Sequence, residues 1–444
     1  MSLFLYRLFL LLYRLGARLI APWNAKAGKW LEGRKDIFAR LEQALGPAPS
    51  TGSGQAQDRP PGAPEAGKRP LVWFHCASLG EFEQARPLLE RIRQDWPAYR
   101  ILLTFFSPSG YEVKKGYEGA DAVFYLPLDS PANARRLLDI ARPQLVCWVK
   151  YEYWYYYLHE IKRNDIPLLL VSGIFREDQP FFKWWGHFHR SMLACFTHFF
   201  VQTADSKKLL GTIGISENVL VSGDTRFDRV EAIAGQFQPL PLAEAFLGNS
   251  PSIIAGSTWE EDEEELDHFA NTHPDIKFII APHEIDEEHL KDIEKLFRHT
   301  VRYSQLAANE QRPTNNDQRP TANVLIIDNI GLLSRLYHYA TITYIGGGFG
   351  EDGVHNVLEA AVYAKPVVMG PEYEKYIEAT ELVDCGGAFP IENALELENM
   401  LLVLLNNKEE YENACKAAGN YVNTHTGATE KIIGYIQENR LLTN

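Results

Sequence analysis

Two carboxylates and one glycine-rich stretch hold the chemistry this sequence can do. In His75-Cys76-Ala77-Ser78-Leu79-Gly80-Glu81-Phe82-Glu83, Glu81 stands at the start of a helix expected to run to about Asp95. A carboxylate there satisfies helix N–H groups and the dipole; turned toward a ligand, it can also accept a proton. In Lys150-Tyr151-Glu152-Tyr153-Trp154 a second carboxylate, Glu152, follows a strand-like run, with an ion pair to a neighbouring cation as its structural alternative. The third stretch is Gly346-Gly347-Gly348-Phe349-Gly350-Glu351-Asp352-Gly353-Val354-His355-Asn356-Val357-Leu358-Glu359. It follows the strand-like Thr341 to Ile345 and opens a helix-like run, Val354 to Ala364, so its glycines sit on a strand-to-helix turn. Glycines let the backbone approach an anion with no Cβ between them, and a new helix offers unpaired N–H groups and a positive dipole end. Glu359 lies four and three residues after His355 and Asn356, which places all three on one helical face, where a carboxylate can accept two ribose hydroxyls. The alternative is a βα turn that binds nothing. The pattern is neither the dinucleotide G-x-G-x-x-G nor a phosphate loop ending in Lys-Ser/Thr.

Such residues need a rigid frame, and the pattern of the chain supplies one. Strand-like runs at Leu71 to Cys76, Arg100 to Phe105, Ala122 to Tyr125, Leu145 to Val149, Leu168 to Val171, Phe199 to Val201 and Val219 to Val221 alternate with helical stretches. A second series runs through Ser252 to Ala255, Phe278 to Ala281, Val324 to Ile327, Thr341 to Ile345 and Pro366 to Met369. Alternation of this kind predicts an α/β protein of two tandem Rossmann-like, doubly wound domains, each a parallel sheet with helices on both faces. The domains are expected at 71–226 and 251–444, joined by a linker at 227–250. Two such sheets make a cleft, and ligands bind at the carboxyl ends of the strands. A chain of 444 residues is long for one core, in keeping with two.

The net charge of −14 excludes a nucleic-acid binder, because an acidic surface releases no counterions from a phosphate backbone. The N-terminus is the exception to that acidity. Met1 to Pro22 is rich in Leu, Phe, Ile and Tyr but is interrupted by Arg7, Arg14 and Arg18, which fall near one helical face. Cations so placed make a poor spanning helix and a poor signal peptide. They suit an interfacial helix over 1–45, whose arginines, with Lys26, Lys29, Arg34 and Lys35, meet an anionic membrane surface. The alternative is an amphipathic helix packed on the protein's own core. Residues 46–70, rich in Pro, Gly and Ser, are expected to be a flexible linker, and Ala307 to Ala322 a surface loop. Cys76, Cys147, Cys195, Cys385 and Cys415 read as reduced core thiols, with no disulfide framework and no zinc site. The run Glu260 to Glu265 reads as a solvated helix face, and Phe181, Phe182, Trp184, Trp185, Phe188 and Phe196 as either a core helix or a lipid-facing surface.

The motifs, taken in order, resemble the family that transfers 3-deoxy-D-manno-octulosonic acid (Kdo) from CMP-Kdo to a lipid A precursor, a glycosyltransferase B (GT-B) architecture. Ser78-Leu79-Gly80-Glu81 is similar to that family's Ser-x-Gly-Glu, whose Glu is the general base, so the resemblance makes Glu81 catalytic and places Ser78 and Gly80 in the acceptor turn. Glu152 and Trp154 match a Glu-Leu-Trp, with Lys150 where well-known members carry another Glu; Glu152 is thereby implied as a second catalytic carboxylate. Ser107-Pro108-Ser109-Gly110 resembles Thr-Pro-Thr-Gly and Gly223 to Asp228 resembles Gly-Asn-x-Lys-Phe-Asp, which implies acceptor contacts at Ser107 and Arg226. Gly256-Ser257-Thr258 matches a Gly-Ser-Thr, and His283 stands where the family has an Arg. The implied donor site is therefore Ser257, Thr258, His283, Gly346, Gly347, His355, Asn356 and Glu359, in the second domain, with the first domain binding the acceptor. The resemblance implies an inverting transferase acting without metal or cofactor, peripheral or monotopic at the cytoplasmic face of a bacterial inner membrane. Its partners would be CMP-Kdo, lipid A precursor (lipid IVA) and an anionic membrane surface. Two other readings stay open: a GT-B glycosyltransferase or nucleotide-sugar epimerase using a UDP-sugar, and a non-catalytic lipid-bound scaffold.

Overall fold

The computed structural model describes residues 2–46, 69–150, 152–310 and 322–443. The linker expected at 46–70 falls almost wholly outside them, as does most of the loop expected at 307–322, whose first residues instead end a helix, Tyr303–Glu310. Among the described residues fourteen strands form two seven-stranded sheets. The first holds β1 (Leu71–Cys76), β2 (Arg100–Phe105), β3 (Ala122–Tyr125), β4 (Leu145–Val149), β5 (Leu168–Gly173), β6 (His198–Val201) and β7 (Val219–Val221). The second holds β8 (Ser252–Thr258), β9 (Lys277–Pro282), β10 (Thr300–Arg302), β11 (Val324–Ile326), β12 (Ile342–Ile345), β13 (Val367–Met369) and β14 (Ala388–Pro390). Each neighbouring pair is parallel. Helices cover both faces, which is why β1, β4 and β5 read as unbroken apolar runs.

The strand orders are β3-β2-β1-β4-β5-β6-β7 and β10-β11-β9-β8-β12-β13-β14. In the first sheet the chain winds outward from β1 to β3 and returns to the other side of β1 at β4; in the second it leaves β8 through β9 for the edge strand β10, inserts β11 between β10 and β9, and returns to the other side of β8 at β12. The switch points therefore lie between β1 and β4, and between β8 and β12, where helices leave on opposite faces and the strand ends stay uncovered. β10 (Thr-Val-Arg) and β14 (Ala-Phe-Pro) escaped the sequence pattern because neither is a continuous run of large aliphatic residues, as the equally short β7, β11 and β13 are.

By its contacts the chain divides into Met1–Arg229 with Gly427–Asn444, and Val230–Thr426. The expected second domain, 251–444, is thus corrected at its end. Ile432, Ile433 and Ile436 of the last helix, Ala428–Glu438, are buried in the core of the first sheet. Asp228 fastens that helix, its carboxylate accepting from the N–H groups of Gly427 at 2.5 Å and Thr429 at 2.6 Å. Nothing in the apolar periodicity of a C-terminal helix says which sheet it will cover. The cysteines are all unpaired; Cys76, Cys147 and Cys195 are buried, whereas Cys385 is exposed, contrary to a core position.

The N-terminal helix Leu3–Ile20 buries only Tyr6 and Leu10. Tyr6 is the anchor. Its hydroxyl donates to Asp129 Oδ2 at 2.6 Å and accepts from the N–H of Tyr155 at 3.2 Å, while Asp129 takes the next two N–H groups of the helix Tyr155–Arg163, from Tyr156 and Tyr157. Burial pushes the Asp129 carboxyl up to about 6, against the hydrogen bonds that hold it down. The opposite side of the N-terminal helix, Phe4, Leu8, Leu11, Leu12, Leu15 and Leu19, is exposed, Leu19 by 69%. Among the described residues no helix is long and apolar enough to cross a membrane. Of the later aromatic group, Phe181 and Phe196 join the core, as the core reading expects, while Trp184 is 92% exposed.

Tyr6→Phe leaves the Tyr155 N–H without its acceptor and Asp129 short of one donor. The expected cost is about 1–3 kcal/mol, seen in urea unfolding, together with faster proteolysis within residues 3–20.

Candidate functional site

The residues picked out by type lie on the turns that flank the two switch points. In the first unit, Glu81 follows β1 and Glu152 follows β4. Ser78 begins the helix Leu79–Asp95, and Glu81, three residues on, closes a capping box: its Oε2 accepts from the Ser78 N–H at 3.0 Å and from the Ser78 hydroxyl. Glu81 is half-buried and Gly80 beside it is exposed, so the turn reaches solvent. Glu152 Oε2 receives the indole N–H of Trp154 at 3.1 Å and lies 3.1 Å from His75 Nε2. Behind His75, Thr104 Oγ1 lies 3.0 Å from Nδ1 and accepts from the Trp73 indole at 2.8 Å. The Thr104 hydroxyl itself donates to the Phe74 carbonyl at 3.3 Å, and the buried His75, meeting the Glu152 carboxylate through Nε2, fixes the direction of that carboxylate together with Trp154. The alternative noted for Glu152, pairing with a cation, is replaced by this histidine and two tryptophans, since the Trp148 indole also donates to the Glu152 carbonyl.

Two expected acceptor contacts have structural duties. Ser107 caps the helix Pro108–Lys114, accepting from the Ser109 N–H at 3.2 Å. Arg226 is half-buried and places Nε and NH2 within 3.0 Å of Asp224 Oδ2. Asp224 also accepts from Gln84 and Gln202. Burial opposes its ionisation, but Arg226 and Lys150 outweigh that and hold its pKa below the usual value. The guanidinium of Arg226 is thus paired with its neighbour two residues away.

In the second unit the turns after β8 and β12 are joined by Asp262. Its Oδ2 accepts from the N–H groups of Trp259 at 2.9 Å and Gly347 at 2.8 Å, and its Oδ1 from the Tyr344 hydroxyl at 2.8 Å. Burial pushes its carboxyl up, while these three bonds favour the ionised form. Asp262 and Glu263 are buried, which corrects the reading of Glu260 to Glu265 as a solvated face. The glycines are corrected with them. Gly346 donates to the Gly256 carbonyl and Gly347 to Asp262, so neither N–H is left for an anion. A Cβ on Gly346 would stand 2.4 Å from the Ser257 oxygen, and one on Gly348 2.6 Å from the Gly370 nitrogen. Their missing side chains let two turns close on one another. Thr258 is also spent, donating to Glu263 Oε1 at 2.7 Å, whose other oxygen lies 2.9 Å from His289 Nε2.

The helix expected from Val354 begins only at Leu358 and ends at Ala361, so His355 and Asn356 precede it and do not share its face with Glu359. Asn356 still meets Glu359, donating from Nδ2 at 3.1 Å. His355 turns the other way, into a stack. The rings of His283 and His355 lie 4.4 Å apart at 17°, and Trp259 stacks on His283 at 4.7 Å. The Trp259 indole donates to His355 Nε2 at 3.0 Å, so the imidazole's own proton lies on Nδ1. Burial, helped by His283, pulls the His355 pKa down to about 4. Ser257, beside them, holds a left-handed backbone with φ of 54°. Trp259 and Asp262 were not picked out by sequence; the one signal was an aromatic residue directly after Ser257-Thr258. Flat rings, a neutral histidine and an Asn–Glu pair suit a nucleobase and a sugar with hydroxyls, more than they suit a bare phosphate.

Residues 47–229 match the family model described as 3-deoxy-D-manno-octulosonic-acid transferase (kdotransferase). A bifunctional glycosyltransferase/methyltransferase of Fusobacterium nucleatum is 27% identical over 84% of this chain and 55% of its own length. A 3-deoxy-D-manno-octulosonic acid transferase of Haemophilus influenzae is 26% identical over 82% of this chain and 86% of its own. Among solved structures, a UDP-GlcNAc 2-epimerase from Neisseria meningitidis bound to UDP-GlcNAc aligns with a TM-score of 0.58 at 18% identity, covering 83% of this chain and 100% of that one. That likeness speaks for the fold, two tandem Rossmann-like units of the GT-B class.

His355 takes up its proton at about 4 in the folded chain and at about 6.5 when unfolded, so the unfolded state binds it first as pH falls. The histidine's contribution is therefore complete above about 6.5 and is lost on descending to about 4. Urea titrations across that interval should show a steeper loss for the native chain than for His355→Phe.

Proposed function

We propose, on the premise that this chain is a member of the Kdo transferase family through residues 47–229, that it is an inverting glycosyltransferase moving Kdo from CMP-Kdo to a lipid A precursor. The observation that carries the reading is the coincidence of the chemical side chains with both switch points. Glu81 and Glu152 flank the first, and Trp259, His283 and His355 gather at the second. In this reading the acceptor hydroxyl attacks the anomeric carbon of Kdo as the bond from that carbon to the phosphate oxygen breaks. The electron pair leaves with CMP, and the hydroxyl proton passes to Glu81. The transition state is cationic at the sugar, so the Glu81 carboxylate also helps by its charge. Glu152, oriented by His75 and Trp154, is a second fixed negative charge at the same strand ends.

The donor nucleotide is assigned to the second unit. The His283, His355 and Trp259 rings offer a platform for the cytosine or its ribose, and Glu359, in contact with Asn356, an acceptor for ribose hydroxyls. His283, in place of the family's Arg, is exposed, while Trp259 and His355 are half-buried. The acceptor is read as a phosphorylated, acylated glucosamine disaccharide such as lipid IVA, met at the cytoplasmic face of a bacterial inner membrane. Support for the membrane comes from the outward leucines of the helix Leu3–Ile20 and from the arginines on its flank.

Glu81→Gln keeps a carbonyl oxygen for the helix cap and removes the base. Transfer should fall by about 100-fold or more with CMP-Kdo affinity unchanged, and a variant that still turns over at the native rate removes Glu81 from the role. In calorimetric titrations CMP should bind more tightly than UDP. A preference for UDP would point to a nucleotide-sugar epimerase or another glycosyltransferase, and silence from both nucleotides to a scaffold.

A further inference from the structure

The N-terminal helix Leu3–Ile20 carries its arginines between the buried side and the outward leucines, and these arginines do not all end in water. Arg7 donates to the Tyr156 hydroxyl. Arg14 and Arg18 line a cavity of about 660 Å³ together with Arg34, Lys35 and Arg136, the last from the helix Pro131–Ala141. Asp36 is the one carboxylate in that lining. Five cations around one concavity repel one another, and they do so in a chain whose net charge is −14, where acidic partners abound. Few partners are supplied. Among the described residues Arg14 and Arg18 make no hydrogen bond or ion pair. Lys35 and Arg136 meet Glu32 and Glu42, but each of these four side chains is at least half exposed, so the pairs hold weakly and are easily exchanged.

Arg34 is the fixed point. Its guanidinium donates to the carbonyls of Leu126, Trp30 and Phe106 and lies 4.0 Å from the Trp30 ring, 4.7 Å from Tyr125 and 4.9 Å from Phe106. Each guanidinium nitrogen thus has one carbonyl, and among the described residues no carboxylate forms an ion pair with it. Burial pulls its pKa down to about 9, which still leaves it charged at neutral pH. A compact anion in the cavity would supply the opposite charge, and the volume admits a group larger than phosphate alone. Trp30 separates this cavity from a second, mainly apolar groove of about 440 Å³, which Tyr13, Ala17, Ile20 and Ser107 also line.

From this arrangement we infer a phosphate subsite, formed by Arg14, Arg18, Lys35 and Arg136 over Arg34, that grips the phosphate of a membrane amphiphile while the groove beyond Trp30 takes an acyl chain. It rests on the membrane association proposed above and adds the group that is gripped. The phosphate has two possible sources, a phospholipid of the bilayer or the phosphorylated acceptor glycolipid, and both present the same chemistry to these arginines.

The test uses the full chain and vesicles of phosphatidylcholine doped with phosphatidic acid. Diffuse attraction weakens by about fivefold per cation removed, wherever near the surface it sits. Lys29→Gln with Lys115→Gln, neither of which lines the cavity or the groove, sets that baseline. Arg18→Gln with Arg136→Gln should weaken binding at least about tenfold beyond it, and equal losses from the two pairs overturn the subsite. Should the native chain ignore vesicles altogether, the membrane reading fails by itself. The subsite is then judged by calorimetry with dihexanoyl phosphatidic acid and with glucosamine 1-phosphate. Heat from the first, lost in Arg18→Gln with Arg136→Gln, supports a bilayer source and heat from the second the acceptor; heat from neither overturns the inference.

Discussion

A helix begins with N–H groups that have no partner within it, and beside hydroxyl caps such as Ser107 this chain meets several of them with carboxylates. Glu81 closes the box on Ser78. Asp129 takes the Tyr156 and Tyr157 N–H groups, Asp228 those of Gly427 and Thr429, and Asp262 that of Trp259. Three of these acids tie a helix start to something distant in sequence: Asp129 to the N-terminal helix through Tyr6, Asp228 to the C-terminal helix, Asp262 to Gly347. One electrostatic requirement at the sheet ends thereby holds both termini to the first unit and the two switch-point turns of the second unit to one another.

The same requirement explains why chemistry collects where it does. Carboxylates needed by helix starts already sit at the carboxyl ends of strands, where a doubly wound sheet leaves room for a ligand. A structural cap and a proton acceptor then differ only in what else reaches the group. Glu81 stays half-buried next to an exposed glycine, whereas Asp262 is buried and fully engaged. The first is available for a substrate; the second is a fastener. His355 shows the same economy. Its Nε2 is occupied by the Trp259 indole, and its low pKa keeps it neutral, so it presents a donor at Nδ1 and no charge.

The N-terminal region obeys a different constraint. A helix with leucines outward is unfavourable in water unless something covers them, and its hold on the protein is polar, through Tyr6, rather than by a broad apolar contact. With the arginines on its flank, that helix has one side against the protein, one of exposed leucines, and a cationic boundary between them.

By itself the sequence determined the architecture and the turns. Continuous apolar runs separated by helical periods can only be strands buried on both faces, and twelve such runs anticipate twelve of the observed strands, because burial on both sides leaves a local signature. Glu81 and Glu152 were picked out as polar residues on the turns after those runs, and His355 and Glu359 as polar residues at the far end of the glycine-rich stretch after Ile345. What only the tertiary structure decided was which groups are spent on one another. Thr258 on Glu263, Arg226 on Asp224 and Gly347 on Asp262 are contacts set by the closing of turns or the curl of one side chain, and the residue types alone allowed a ligand in each place. Trp259 gained its place at the site because β8 and β12, about ninety residues apart in sequence, pair side by side. Pairing between distant strands writes no pattern into either one, so the stack of Trp259, His283 and His355 exists only once the sheet has formed.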